Sequence, residues 1–156
     1  MEEWKKDRIG SAVAGTNPTV LSKMKSGFAV IGDTQFLEGY CVLLAYPQVY
    51  QLNDLSPKKR AEFLFDMSLL GDAIQAVYQT RRLNYSILGN TDAYLHAHIF
   101  PRYNTEQPER LHGPVWLYPR ENWSKIEYQV SEEVHGKKMI ALRARLEELM
   151  KENYGS

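Results

Sequence analysis

This chain has almost no cysteine, no excess of either charge and no apolar run long enough to cross a membrane. Cys41 is the only cysteine among 156 residues. An intrachain disulfide is therefore impossible, and so is a cysteine-based zinc cluster within one chain. Lysine plus arginine number 19 and aspartate plus glutamate number 19, with no long block of one sign. A binder of long nucleic acids needs a basic footprint, which is missing here; a nucleotide can still be held by a few local donors. The longest apolar stretch, Tyr40 to Pro47, falls far short of a membrane span. The opening residues Met1 to Arg8 are charged where a secretory leader would be apolar. No glycine pattern of the dinucleotide-binding or P-loop kind occurs, and neither does an internal repeat. The expectation is a soluble cytoplasmic protein with no membrane segment and no cofactor. A single domain over residues 1–156 suits this length.

What is present is ordinary globular composition, 44% hydrophobic and 24% charged, arranged in readable periods. Residues 2–14 predict a short helix with Trp4, Ile9 and Val13 as its apolar contacts, broken by Asn17-Pro18. A helical turn is expected over Thr19 to Lys25. Gly27–Ile31 and Gly39–Tyr46 read as strands of a hairpin. Ser56-Pro57 is a strong helix start, and Phe63, Met67, Leu70, Ile74 and Val77 then recur at spacings of three and four to about Arg82. Asn84–Leu88 and Tyr94–Arg102 predict a second antiparallel pair. Ser131 to about Asn153 predicts a closing helix with Met139, Ile140, Leu142, Leu146 and Leu149 as its apolar positions. The class is α+β: a small antiparallel sheet, one long helix on one face, and the other face open to a ligand.

The densest chemical signal is Tyr94-Leu95-His96-Ala97-His98-Ile99-Phe100-Pro101-Arg102. Alternation puts both imidazoles on one face of a strand, roughly 6.5–7 Å apart, with Leu95, Ala97 and Ile99 on the other. A neutral imidazole is a good nucleophile near neutral pH. Attack on a phosphoanhydride splits one hard displacement into two easier ones, and a second histidine can assist the leaving group. Two other readings remain open for the pair, a buried structural couple and a zinc site. His112 and His135 show no spacing that would complete a metal site.

With these residues in place the chain resembles the histidine-triad superfamily of nucleotide hydrolases and transferases. The likeness rests on His96-Ala97-His98-Ile99-Phe100-Pro101-Arg102 and on Gly89-Asn90-Thr91, which stands at the spacing of that family's Gly-Gln-Ser/Thr element. Asp33, Gly39–Leu44 and Asp54-Leu55 before the long helix add to it. Asn84-Tyr85 through Gly89-Asn90, with Gly113-Pro114 and Trp116, is similar to a bacterial branch described as diadenosine tetraphosphate hydrolase-like. The resemblance covers about residues 27–120, leaving the helices at 2–14 and 131–153 as additions. It implies a sheet of about five strands and a homodimer. It also implies cleavage at a nucleotide α-phosphate through a nucleotidyl-histidine intermediate, with dinucleoside polyphosphates as favoured substrates. His96 matches the nucleophile and His98 the last triad histidine. Thr91, Asn84 and Asn90 match polar phosphate contacts, and Asp33 matches the residue that binds ribose hydroxyls. Arg102 is a further candidate phosphate contact. Tyr94 stands at the first triad position, where the family has histidine, and Gln48 is read at the position of a fourth histidine. The alternative is a nucleotide-binding or sensing module in which Tyr94 has weakened catalysis.

Overall fold

Alternating and β-branched segments fold into five antiparallel strands, β1 (Val20–Lys23), β2 (Gly27–Ile31), β3 (Cys41–Ala45), β4 (Arg82–Ser86) and β5 (His96–Arg102). They are hydrogen-bonded in the order β1-β2-β3-β5-β4 in the computed structural model, which describes residues 1–155. The helices are α1 (Glu3–Lys6), α2 (Arg8–Ala14), α3 (Pro57–Val77), α4 (Pro108–Leu111) and α5 (Glu132–Tyr154). β2–β3 and β4–β5 are the two hairpins read from sequence, and β3 joins them by pairing with β5 through Val42 opposite His98 and Leu44 opposite His96.

The period of two along each strand sorts the side chains. Ala29, Ile31, Cys41, Leu43, Ala45, Ala97 and Ile99 face α3 and α5 and pack on Phe63, Leu70, Ala73, Ile74, Leu142 and Leu146. Phe28, Val30, Val42, Leu44 and Phe100 face the other way, into a second cluster with Ile9 and Ala12 of α2, Leu37, Tyr40 and Val115. Each long helix begins as its sequence dictates. The Ser56 hydroxyl accepts from the Lys59 N–H at 3.3 Å ahead of Pro57, and Ser131 accepts from Val134 N–H at 3.2 Å. Asp66 of α3 is fully buried. It accepts from the Ser26 N–H and hydroxyl at 2.7 and 2.6 Å and from the Tyr154 hydroxyl, tying the β1–β2 turn to both long helices. Burial raises its carboxyl above the usual range, against the pull of the Ser26 hydrogen bonds.

Four details differ from the sequence expectations. The stretch expected as a helical turn at Thr19–Lys25 is the strand β1, because pairing with β2 satisfies more backbone than one isolated turn could. The N-terminal helix breaks at Asp7, whose carboxylate accepts from the Gly10 N–H at 2.9 Å and starts α2 afresh. α3 stops at Val77 rather than Arg82, since the Arg81 N–H already bonds the Arg102 carbonyl at 2.7 Å and leads into β4. Ile140 points outward at 61% exposure, whereas Met139, Leu142, Leu146 and Leu149 are buried. On the outer strand β1, Arg143 of α5 donates to the carbonyls of Leu21 and Val20 at 2.9 and 3.2 Å. No described helix is long and apolar enough to cross a membrane.

Candidate active site

β5 is an inner strand, and its side chains at positions 96 and 98 leave the face opposite the long helices. The two imidazole centres lie 4.9 Å apart with planes at 76°. They line a cavity of about 560 Å³ together with Arg8, Asp33, Tyr40, Asn90, Thr91, Tyr94, Trp116 and others. Gly89, at φ +72°, takes the left-handed turn that brings Asn90 and Thr91 to this rim. Trp116 closes one side, edge-on to His98 at 5.2 Å and stacked on Trp123 at 5.7 Å. Its indole N–H donates to Ser86, the cross-strand partner of His98, at 3.3 Å.

Hydrogen bonds fix what each imidazole can do. His96 Nδ1 lies 2.8 Å from the Tyr94 carbonyl oxygen. A carbonyl only accepts, so Nδ1 carries the hydrogen and Nε2 of the neutral ring keeps its lone pair. His98 Nδ1 lies 2.8 Å from the Tyr40 hydroxyl. Burial first, and the nearby Asp33 carboxylate second, push that phenol well up, so it keeps its proton and can donate to Nδ1. With the phenol as donor, Nε2 of His98 carries the hydrogen. Burial, followed by repulsion from His96, holds His98 down to about 4, so this ring is neutral at physiological pH. The strand thus presents a lone pair beside an N–H donor. Tyr40 reaches His98 because residue 32 is glycine: a Cβ there would lie 2.2 Å from the Tyr40 ring.

Tyr94, two positions before His96, acts on it through its backbone. The Tyr94 ring is half-buried in the cavity, 5.1 Å from His96, with its phenol raised by burial and by Asp92. Its backbone carbonyl, which any residue would supply, sets the His96 tautomer.

Other candidates separate. Asn90, Thr91, Asp33 and Tyr94 share the cavity with the histidines. Asp33 is not bare: Arg8 grips it with two hydrogen bonds, at 3.1 and 2.6 Å. Gln48 is exposed and does not line the cavity, so the side chain that meets the last histidine is Tyr40, ahead of β3, rather than Gln48 after it. Asn84 and Arg102 lie in a neighbouring cavity on the far side of Trp116. Arg102 is 5% exposed. Nε donates to Glu106, one terminal nitrogen to Asn84 Oδ1 and the Gly113 carbonyl, and the other to Glu106 and the Arg110 carbonyl. Every donor is used, so Arg102 holds the 106–113 loop and has none left for a phosphate. Burial would raise Glu106, but the bonds from Arg102, Tyr118 and the Tyr103 N–H hold it below the usual carboxylate range. Tyr40 and Arg8 were not singled out from sequence. Tyr40 reads as an apolar strand opener, and Arg8 as one charge among many on a terminal helix. Among the described residues no cluster of three or more His, Cys, Asp or Glu side chains is grouped as a metal site.

No protein-family profile and no curated protein matches this chain. Solved structures do. A hypothetical histidine triad nucleotide-binding protein from Sulfolobus tokodaii superposes with a TM-score of 0.70 at 14% identity, covering 96% of this chain and 97% of that one. A histidine triad protein from Bradyrhizobium japonicum gives 0.67 at 18% identity, over 81% and 89%. The diadenosine triphosphate hydrolase of Plasmodium falciparum gives 0.58 at 16% identity, over 83% and 77%. The chain has the histidine-triad fold.

Proposed function

We propose that this protein cleaves nucleotides at a substituted α-phosphate through a nucleotidyl-histidine, with dinucleoside polyphosphates as its substrate class. The observation that carries the reading is the pair of imidazoles on β5 that line one cavity, one held at Nδ1 by the Tyr94 carbonyl and the other by the Tyr40 hydroxyl. In the arrangement where Tyr40 donates, Nε2 of His96 offers the lone pair and Nε2 of His98 the hydrogen. In the first step the His96 lone pair forms the N–P bond while the bond from phosphorus to the bridging oxygen breaks. The charge that develops on His96 is stabilised through Nδ1–H by the Tyr94 carbonyl. His98 donates a hydrogen bond to the departing oxygen. In the second step water attacks phosphorus, the N–P bond breaks, and His96 regains its lone pair. Asn90 and Thr91, on the rim, offer polar groups to the phosphate oxygens.

The neutral state of His98 favours one leaving group over another. A neutral imidazole N–H is a poor acid, so it supports a leaving group that departs without full protonation. A polyphosphate does so; an amine does not. This ranks dinucleoside polyphosphates above phosphoramidates.

The test is turnover of diadenosine tetraphosphate, expected to give AMP and ATP, with acid-quench trapping of adenylate on the protein. His96→Ala should abolish both. Nucleotide binding with no turnover in the wild-type chain would instead favour a sensing module. We further propose a homodimer built on β4: the outer edge of this strand, away from β5, pairs with no strand among the described residues, whereas β1 carries Arg143 across its carbonyls. Light scattering at the mass of one chain would refute it.

A further inference from the structure

We propose that Arg8, on α2 and remote in sequence from the histidine strand, is the residue by which this cavity reads the charge of its ligand. The inference rests on the nucleotide reading above and adds the group that selects among nucleotides. Arg8 is the only lysine or arginine that lines the cavity, against two carboxylates, Asp33 and Asp92. Were Arg8 absent, a ligand of several negative charges would meet these two carboxylates with no lysine or arginine beside them. Arg8 is also held in place. Its two terminal nitrogens donate to the two Asp33 oxygens at 3.1 and 2.6 Å, and its guanidinium lies 5.2 Å from the centre of the Trp4 ring.

This geometry leaves capacity to spare. Among the described residues the Arg8 side chain donates only to Asp33, so Nε–H and one hydrogen on each terminal nitrogen remain for a ligand. Asp33 in turn keeps a lone pair on each oxygen for ribose hydroxyls. One ion pair can therefore serve both ends of a nucleotide: the carboxylate accepts from the sugar while the guanidinium donates to a phosphate beyond the one that His96 attacks. The ligand class so selected is a nucleoside di- or polyphosphate rather than a monophosphate or a nucleoside.

The experiment is calorimetric binding of adenosine, AMP and ADP to the full chain, which needs no turnover. The wild-type protein should bind ADP more tightly than AMP, and AMP more tightly than adenosine. Arg8→Gln should weaken ADP about tenfold or more and leave adenosine within about twofold. Arg8→Lys, which keeps the charge without the fork, should recover part of the ADP preference. Asp33→Asn should instead weaken all three ligands by a similar factor, because each carries the ribose, and leave their order unchanged. Equal weakening of all three ligands by Arg8→Gln would make Arg8 a structural brace and overturn the inference. So would an unchanged ladder in Arg8→Gln. A wild-type protein that binds none of the three would sink the underlying nucleotide reading as well, and so is told apart from failure of the Arg8 inference alone.

Discussion

The two faces of the sheet are made by the same strands and obey opposite rules. On the helix side, Ala29, Cys41, Leu43, Ala97 and Ile99 have no measurable exposure and belong to one apolar cluster. On the other side, Val42 and Leu44 sit across from His98 and His96, and aromatic rings stand around a cavity instead of filling it. Within β5 the rule changes at every residue. The lesson is that a rigid, dry face lets its reverse carry polar groups at fixed spacing, because backbone positions are set by packing that the chemistry never touches.

Substitutions can break this division. The largest effect is expected on the dry side: Leu43→Ala should cost about 3–4 kcal/mol by leaving a cavity against α3 and α5. Turnover per folded molecule should hardly change, which chemical denaturation and activity at matched folded fraction can check. A similar loss of turnover and stability together would show that the faces are not independent.

Acid should act on the wet side. His98 is held down to about 4 in the folded protein by burial and then by His96, against an ordinary value of about 6.5 in the unfolded chain. Between those values the unfolded chain takes up a proton that the folded one refuses. Stability is therefore unaffected above about pH 6.5 and falls as pH drops toward 4, by up to about 3 kcal/mol. His98→Asn should flatten that stretch of the stability–pH curve; an unchanged slope would assign it to other groups.

The smallest effect sharpens the contrast within the wet face itself. Tyr40→Phe removes the hydroxyl from His98 Nδ1 and frees the tautomer. Turnover should fall about tenfold with stability lowered by about 1 kcal/mol, and the acid limb of the activity–pH profile should move. A loss of stability with no movement of that limb would leave Tyr40 as packing alone.

How much of this was legible depended on the range of the interaction. β5, α3 and α5 announce themselves because their periods repeat over many residues and their caps are local, as at Ser56 and Ser131. β1 did not, because four residues carry too little period and its structure comes from pairing with β2. The histidine pair was readable within one strand. The groups that tune it were not: Tyr40 meets His98 across 58 positions of sequence, and Arg8 meets Asp33 across 25. Asn84 and Arg102 illustrate the opposite error. Each sits in a motif, and strand register puts both on the histidines' own face, yet further along it, where they bond each other and Arg102 holds the 106–113 loop.

Arg143 has a consequence at a larger scale. A ribbon stoppered at one rim can be lengthened from the other side only. Two copies meeting there would each present a blocked rim to the outside, so accretion would stop at a pair and no fibril could grow from it. Loss of that single guanidinium, by Arg143→Ala, would unblock the second rim, and solubility at high concentration would then register its absence before enzymology did.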